Sequence, residues 1–332
     1  MSSGDATRAV GREPEPESSA LEAMVGAELS RPAPKAAALL AEQFVRRHGD
    51  CVAAVLFYGS CLREGSVDGV LDFYVLVDRY RDAYASRALA WANAALPPNV
   101  FYLEVETEIG TLRCKYAVVS CDDFDRGARP GGLRSSIWAR FCQPALVAWT
   151  RDAAAHRRTA SAVTEAVVTA VDRVVPLMAD SQGVARFNSE QLWLRVLQET
   201  YSAEWRTESP KTIQSLHAAD PERYSAATRG ALDCLARRGR VKVDFSGGGF
   251  ECSAVSTSQA GPQPVRRPLA KFVYLLGLLK SIATFGDWLP YALWKLERHT
   301  GNRIELTDRQ RRHPLVWGWP VLLRVLRQRD LH

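Results

Sequence analysis

Methionine is scarce, with three residues in a chain of 332, and the six histidines stand singly along it. That scatter gives no support to a histidine-based metal centre. The seven cysteines, at positions 51, 61, 114, 121, 142, 234 and 252, are odd in number. No two of them have the short spacing of a zinc or redox motif, so reduced thiols are expected. Long hydrophobic runs are missing too. Nothing approaches the roughly 18 uninterrupted apolar residues of a bilayer span, so the chain is not expected to cross a membrane. The opening stretch "MSSGDATRAVGREPEPESSALEAM" has acids and prolines but no apolar core. It therefore resembles neither a secretory signal nor a basic transit peptide, and residues 1–20 read as a disordered lead-in.

What is present is an ordinary globular composition, 47% apolar and 24% charged, with the positive charge unevenly placed. The net charge is +6, but the residues from 263 onward carry thirteen Lys or Arg against five Asp or Glu. A basic tail on a near-neutral body points to contact with an anionic surface, lipid or nucleic acid.

Periodicity divides the chain. Residues 34–48 read as an amphipathic helix, followed by a strand "CVAAVLFY", a Gly-Ser turn, a loop, and a second strand "LDFYVLV". "RYRDAYASRALAWANAAL" reads as one helix stopped by Pro97 and Pro98. "VFYLEVETE" and "LRCKYAVVS" alternate in period two around residues 109–111, as a hairpin does. Residues 155–178, 189–206 and 222–238 have helical spacing, and "RVKVDFSGGGFECSAV" reads as a hairpin with a glycine-rich tip, compatible with a winged-helix arrangement. The expected fold is α/β (α+β), with a mixed sheet in residues 21–150 and a mainly helical, winged-helix-like unit in 151–258. A linker at 259–268 and a basic, aromatic tail at 269–332 complete it.

The stretch "VLFYGSCLREGSVDGVLDFYVLVD" poses a chemical question, because Asp72 interrupts an apolar strand just after a Gly-Ser step. A nucleotidyltransferase answers it. Gly59 lets the backbone approach a phosphate, and the Ser60 hydroxyl with the N–H groups after it donates to the phosphate oxygens. Asp72 on the next strand would hold Mg²⁺. The usual partner acid two positions earlier is Val70 here, so Asp68 in the loop is the second candidate ligand, with Glu104 or Glu106 as further ones. The plainer alternative is an aspartate at a strand edge or turn.

From these residues the chain resembles the mitochondrial-type phosphatidate cytidylyltransferases, which make CDP-diacylglycerol from CTP and phosphatidic acid. The likeness begins at "FYGS" and "VLDFYVLVD" and continues through "LRCKYAVVS", with its Lys115-Tyr116 pair. It extends to Arg140 and Pro144 in "ARFCQPALV", and to Tyr201, Ser202, Glu204 and Arg206 in "FNSEQLWLRVLQETYSAEWRTESPKT". "LLKSIATFGDWLPYALWKLERH" is similar to the family's membrane-associating C-terminal segment. The departures are Cys61 in place of a glycine, Asp78-Arg79 in place of paired acids, and no counterpart for 299–332.

The resemblance implies a nucleotidyltransferase domain followed by a helical, winged-helix-like one, with Mg²⁺ as cofactor. A phosphate oxygen of phosphatidic acid would attack the α-phosphorus of CTP, and pyrophosphate would leave. Lys115 would face the phosphates, or else be an edge-strand lysine reaching solvent. Arg140 and Arg206 would clamp phosphate, or form surface or interdomain salt bridges. Tyr201 would stack on cytosine, or be core. The tail, with Trp288, Trp294, Trp317 and Trp319 among basic residues, would hold the protein peripherally on the cytoplasmic face of an anionic membrane. Rival readings are a nucleotidyltransferase with a soluble acceptor, such as an aminoglycoside or tRNA, and a non-catalytic winged-helix nucleic-acid binder. Nucleic acid is not the expected partner, since the body offers only the short cluster "ALDCLARRGRVK".

Overall fold

The computed structural model describes residues 19–67, 69–130, 136–203, 210–245 and 249–254, together with Lys280. Asp68, Arg206 and all of the tail except Lys280 lie outside the described residues, as does the side chain of Tyr201.

Helix α1 (Ala20–Leu29) opens with a capping box. The Ser19 hydroxyl accepts from the Glu22 N–H at 3.2 Å, and the Glu22 carboxylate accepts from the Ser19 N–H at 3.0 Å. Two of the helix's otherwise unpaired donors are thereby satisfied. Its apolar face of Leu21, Val25 and Leu29 is fully buried. Helix α2 (Lys35–His48) begins after Pro34 and ends at Gly49, buries Ala37, Leu40, Ala41 and Phe44, and places Arg46, Arg47 and His48 in its last turn. Cations there complement the negative end of the helix dipole.

Strands β1 (Val52–Tyr58) and β2 (Val70–Val77) flank the one-turn helix α3 (Ser60–Glu64). The stretch expected as one helix is two, α4 (Tyr80–Ala83) and α5 (Arg87–Ala95), because Tyr84 is extended and Ser86 caps the second by accepting from the Leu89 N–H. The expected hairpin is β3 (Asn99–Thr107) and β4 (Gly110–Ser120), turning at Glu108-Ile109. Next come α6 (Cys121–Ala128), α7 (Ser136–Phe141) and β5 (Ala145–Thr150). The five strands form one mixed sheet in the order β3-β4-β2-β1-β5, with β2 parallel to β4 and the other pairs antiparallel.

Both faces of this sheet are covered, which is why β1 and β2 read as almost unbroken apolar runs. On one face α2 packs Leu40 and Phe44 against Val55, Phe57, Phe73, Val75 and Tyr116. On the other, Leu56, Tyr74, Leu76, Ala117 and Val119 join a core shared with α1, α6, α7 and the 22-residue α8 (Ala153–Val174). That core continues into β6 (Val184–Phe187), α9 (Ser189–Ala203), α11 (Pro221–Arg237) and the hairpin of β7 (Val241–Asp244) and β8 (Phe250–Ala254). Helix α10 (Pro210–Ala218) packs beside α9. The second sheet has the order β6-β8-β7. A buried ion pair joins segments 195 residues apart in sequence. Arg223 on α11 donates to Glu28 on α1 at 2.5 Å and to the Cys142 carbonyl at 3.1 Å, and Glu28 also accepts from the Ala145 N–H.

His48 supplies a pH-dependent element. Its Nδ1–H donates to the Ala83 carbonyl at 2.9 Å, while the buried Nε2 has no partner. Burial holds its pKa below the ordinary 6.5, outweighing the carbonyl's opposite influence. A lowered folded-state value means the unfolded chain binds more protons below pH 6.5, so stability falls as the pH drops through that value. Urea midpoints measured between pH 5 and 8 should decline on the acid side. His48→Asn, whose amide still offers a donor to Ala83, should flatten that part of the decline.

Candidate functional site

Four strands contribute to one row of side chains. Tyr58 on β1 lies opposite Asp72 on β2, Asp72 opposite Lys115 on β4, and Lys115 opposite Tyr102 on β3. Side chains directly opposite on paired strands share a face, so this row runs Tyr58, Asp72, Lys115, Tyr102 across the sheet. Because side chains alternate along a strand, Tyr74 and Ala117 lie on the same face one row on, over the shared core. Asp72 and Lys115 stand where the helical cover ends, with side chains 26% and 32% exposed. Lys115 Nζ is 3.3 Å from Asp72 Oδ1. Since β4 lies inside the sheet, the edge-strand reading of Lys115 is excluded.

The Gly-Ser bend meets this row directly. Gly59 has φ +95°, a conformation that side-chain-bearing residues rarely adopt, and a Cβ there would sit 2.9 Å from Asp72 Oδ2. The backbone angle favours glycine, and any Cβ there would displace the Asp72 carboxylate lying against the bend. Gly59 precedes α3 without a side-chain cap, so the first N–H groups of that turn, beginning at the exposed Ser60, are not used within the helix. Gly59→Ala should cost about 1–3 kcal/mol through backbone strain and push the Asp72 carboxylate off its position. A chemical-denaturation curve combined with a turnover assay checks both effects.

Arg140, on α7, donates from Nη1 to the Tyr74 hydroxyl at 2.7 Å, and its guanidinium carbon lies 5.9 Å from that ring's centre. The structure therefore brings together Gly59, Ser60, Asp72 and Lys115, with Arg140 one row away. Glu104 shares the face but is held by the Tyr102 hydroxyl at 2.5 Å and by Arg113 at 3.2 Å. Burial and this acceptor keep the Tyr102 phenol protonated. Glu106 accepts from Thr111 farther along the hairpin. Burial first, and then the Asp72 charge, push the Cys61 thiol pKa up, which favours its protonated form. All seven cysteines are free.

A divalent ion can be tested against this donor set. Among the described residues no group of three or more His, Cys, Asp or Glu could hold one. Asp72 offers a single carboxylate whose Oδ2 faces the bend. Mg²⁺ fits such a place, because it commonly takes one or two carboxylates, keeps several waters and completes its shell with substrate phosphates.

Sequence reasoning missed Tyr74 and Arg63. Tyr74 is two residues beyond Asp72, so period two would have put it on the same face. Arg63, three residues after Ser60, is half-buried, and its charge bears on Tyr224 of α11; only the tertiary fold brings those two together. No protein-family model matches the chain, and no curated protein matches it significantly.

Proposed function

We propose that this chain is a nucleotidyltransferase that transfers the cytidylyl group of CTP to the phosphate of phosphatidic acid, releasing pyrophosphate. The observation that carries the proposal is the apposition of Gly59 and Asp72: a side-chain-free bend opening a helical turn that has no side-chain cap lies against a carboxylate on the neighbouring strand. Such a pair offers donors to a triphosphate on one side and an anionic ligand on the other.

The attacking phosphate is already ionised at neutral pH, so the site needs no strong base. The difficulty is bringing two polyanions together, which calls for fixed positive charge. Lys115 supplies it beside Asp72, held there by the ion pair. Arg140 supplies more one row along, oriented by Tyr74. Mg²⁺ bound through Asp72, with Asp68 as the second candidate ligand, would offset charge on the phosphates. Tyr201 and Arg206 are the proposed cytosine and phosphate contacts from the second unit.

The strand order β6-β8-β7 around α9, α10 and α11 supports a winged-helix reading of that unit. A nucleic-acid partner gains no support from α11, whose exposed side sets Glu222 and Asp233 against Arg229 and Arg237, with Arg237 paired to Asp233 at 2.9 Å. Among the described residues no helix is long and apolar enough to cross a membrane. The acceptor lipid would be reached instead through the basic, tryptophan-bearing tail on an anionic surface. Lys280 is already engaged by the body, donating to the carbonyls of Leu96 and Pro98. The lipid-facing cations are therefore sought beyond it.

The test is incubation with CTP labelled at the α-phosphate, Mg²⁺ and vesicles containing phosphatidic acid. Label should enter the lipid as pyrophosphate is released. Transfer to soluble acceptors with none to lipid would overturn the lipid assignment.

A further inference from the structure

A cavity of about 320 Å³ opens between the start of α9, the end of α10, the start of α11 and the β7–β8 hairpin. It shares no lining residue with the Asp72 face. One wall is aromatic: Phe245 and Phe250 meet edge to face with ring centroids 5.8 Å apart, and Phe245 is left 50% exposed. His217 also lines it, stacked on Tyr224, only 8% exposed and with an Nε2 that has no hydrogen-bond partner. Arg229 and Glu190 complete the charged lining, both exposed. Neither side chain has a hydrogen bond or ion pair among the described residues.

We propose that this cavity binds a small monocarboxylate with a flat apolar body. Three features select that chemistry. Arg229 presents a fork that matches a carboxylate. The 15-residue α9 begins at the cavity, where Asn188 and Gln191 cap each other and the N–H groups of Ser189 and Glu190 remain for an anion. The Phe pair offers ring faces and edges to an apolar body, and the volume suits about one ring and a short chain, at the low end of ligand pockets. Glu190 sets the charge limit, since its carboxylate repels a dianion such as a phosphate monoester while tolerating a single negative charge beside Arg229. The ligand is therefore of a different class from the phosphate substrates of the Asp72 face, and the proposal stands apart from the proposed reaction.

The experiment is calorimetric titration of the full-length protein with 3-phenylpropionate, the neutral 3-phenylpropanol and the dianionic phenyl phosphate. The carboxylate should bind with a dissociation constant of about 1 mM or tighter. The alcohol and the phosphate should each bind at least tenfold more weakly. Arg229→Gln and Phe245→Ser, both exposed positions, should weaken the carboxylate tenfold or more without changing the thermal midpoint. The proposal is overturned if no carboxylate binding is seen, if Arg229→Gln binds it unchanged, or if the phosphate binds as tightly.

Discussion

Asp72→Asn is expected to lower the proposed cytidylyl transfer by about 10³-fold, the scale of losing a fixed electrostatic group at the centre of a reaction, while leaving the thermal midpoint almost unchanged. Asparagine keeps the shape that packs against Gly59, so the bend stays in place. What it removes is the charge. Lys115 then loses the partner 3.3 Å away, and the site loses its one described anionic ligand beside the bend. Because the position is partly open to solvent, the substitution leaves no buried group unpaired, which separates a chemical loss from an unfolding one. Turnover and thermal melting measured on the same preparation decide between them. Activity within tenfold of wild type would remove Asp72 from the site, and a collapse of the melting midpoint would make it structural.

Arg223→Met is expected to destabilise the protein by about 3–5 kcal/mol, the range for breaking a buried ion pair from one side. Arg223 and Glu28 have side chains only 5% and 8% exposed. Removing the guanidinium strands the carboxylate of Glu28 with the Ala145 N–H as its remaining contact among the described residues. For a fold of this size the loss corresponds to a fall of roughly 6–20 °C in melting midpoint. The double variant Glu28→Leu with Arg223→Met should recover only part of it, since two apolar side chains carry no desolvated charge but leave the Cys142 carbonyl and the Ala145 N–H without these partners. The pair also reaches the site. Arg223 holds the Cys142 carbonyl and Glu28 the Ala145 N–H, so together they pin the turn that leads from Arg140 on α7 into β5. The single variant should therefore weaken the Arg140–Tyr74 contact as well as the fold. Thermal melts of both single variants and the double variant give the coupling directly.

The parts legible from sequence are those where local pattern and tertiary role agree. Strands β1 to β4 announce themselves by apolar runs and alternation, and Asp72 stands out because it breaks one. Helix α1 was hidden by the acid- and proline-rich stretch before it, although "SALE" is a capping box that could have marked its start. Strands β5 and β6, of six and four residues, are too short for periodicity to separate them from loop. The break between α4 and α5 depends on Tyr84 packing toward Asn93, which donates to its hydroxyl at 2.8 Å, a tertiary contact overriding good helix formers. Within the site, Gly59 and Asp72 could be paired by their nearness in sequence. The ion pair of Lys115 with Asp72 could not, because it depends on β2 and β4 lying side by side in parallel, and no local signal specifies which strands pair across a crossover. Arg223 and Glu28 are more distant still.

The most direct test of the central claim is a crystal structure with a non-hydrolysable CTP analogue and Mg²⁺. The triphosphate is expected over Gly59 and Ser60, with the ion on Asp72 and the Lys115 ammonium turned to a phosphate oxygen. A nucleotide bound elsewhere, with Asp72 still paired only to Lys115, would contradict it.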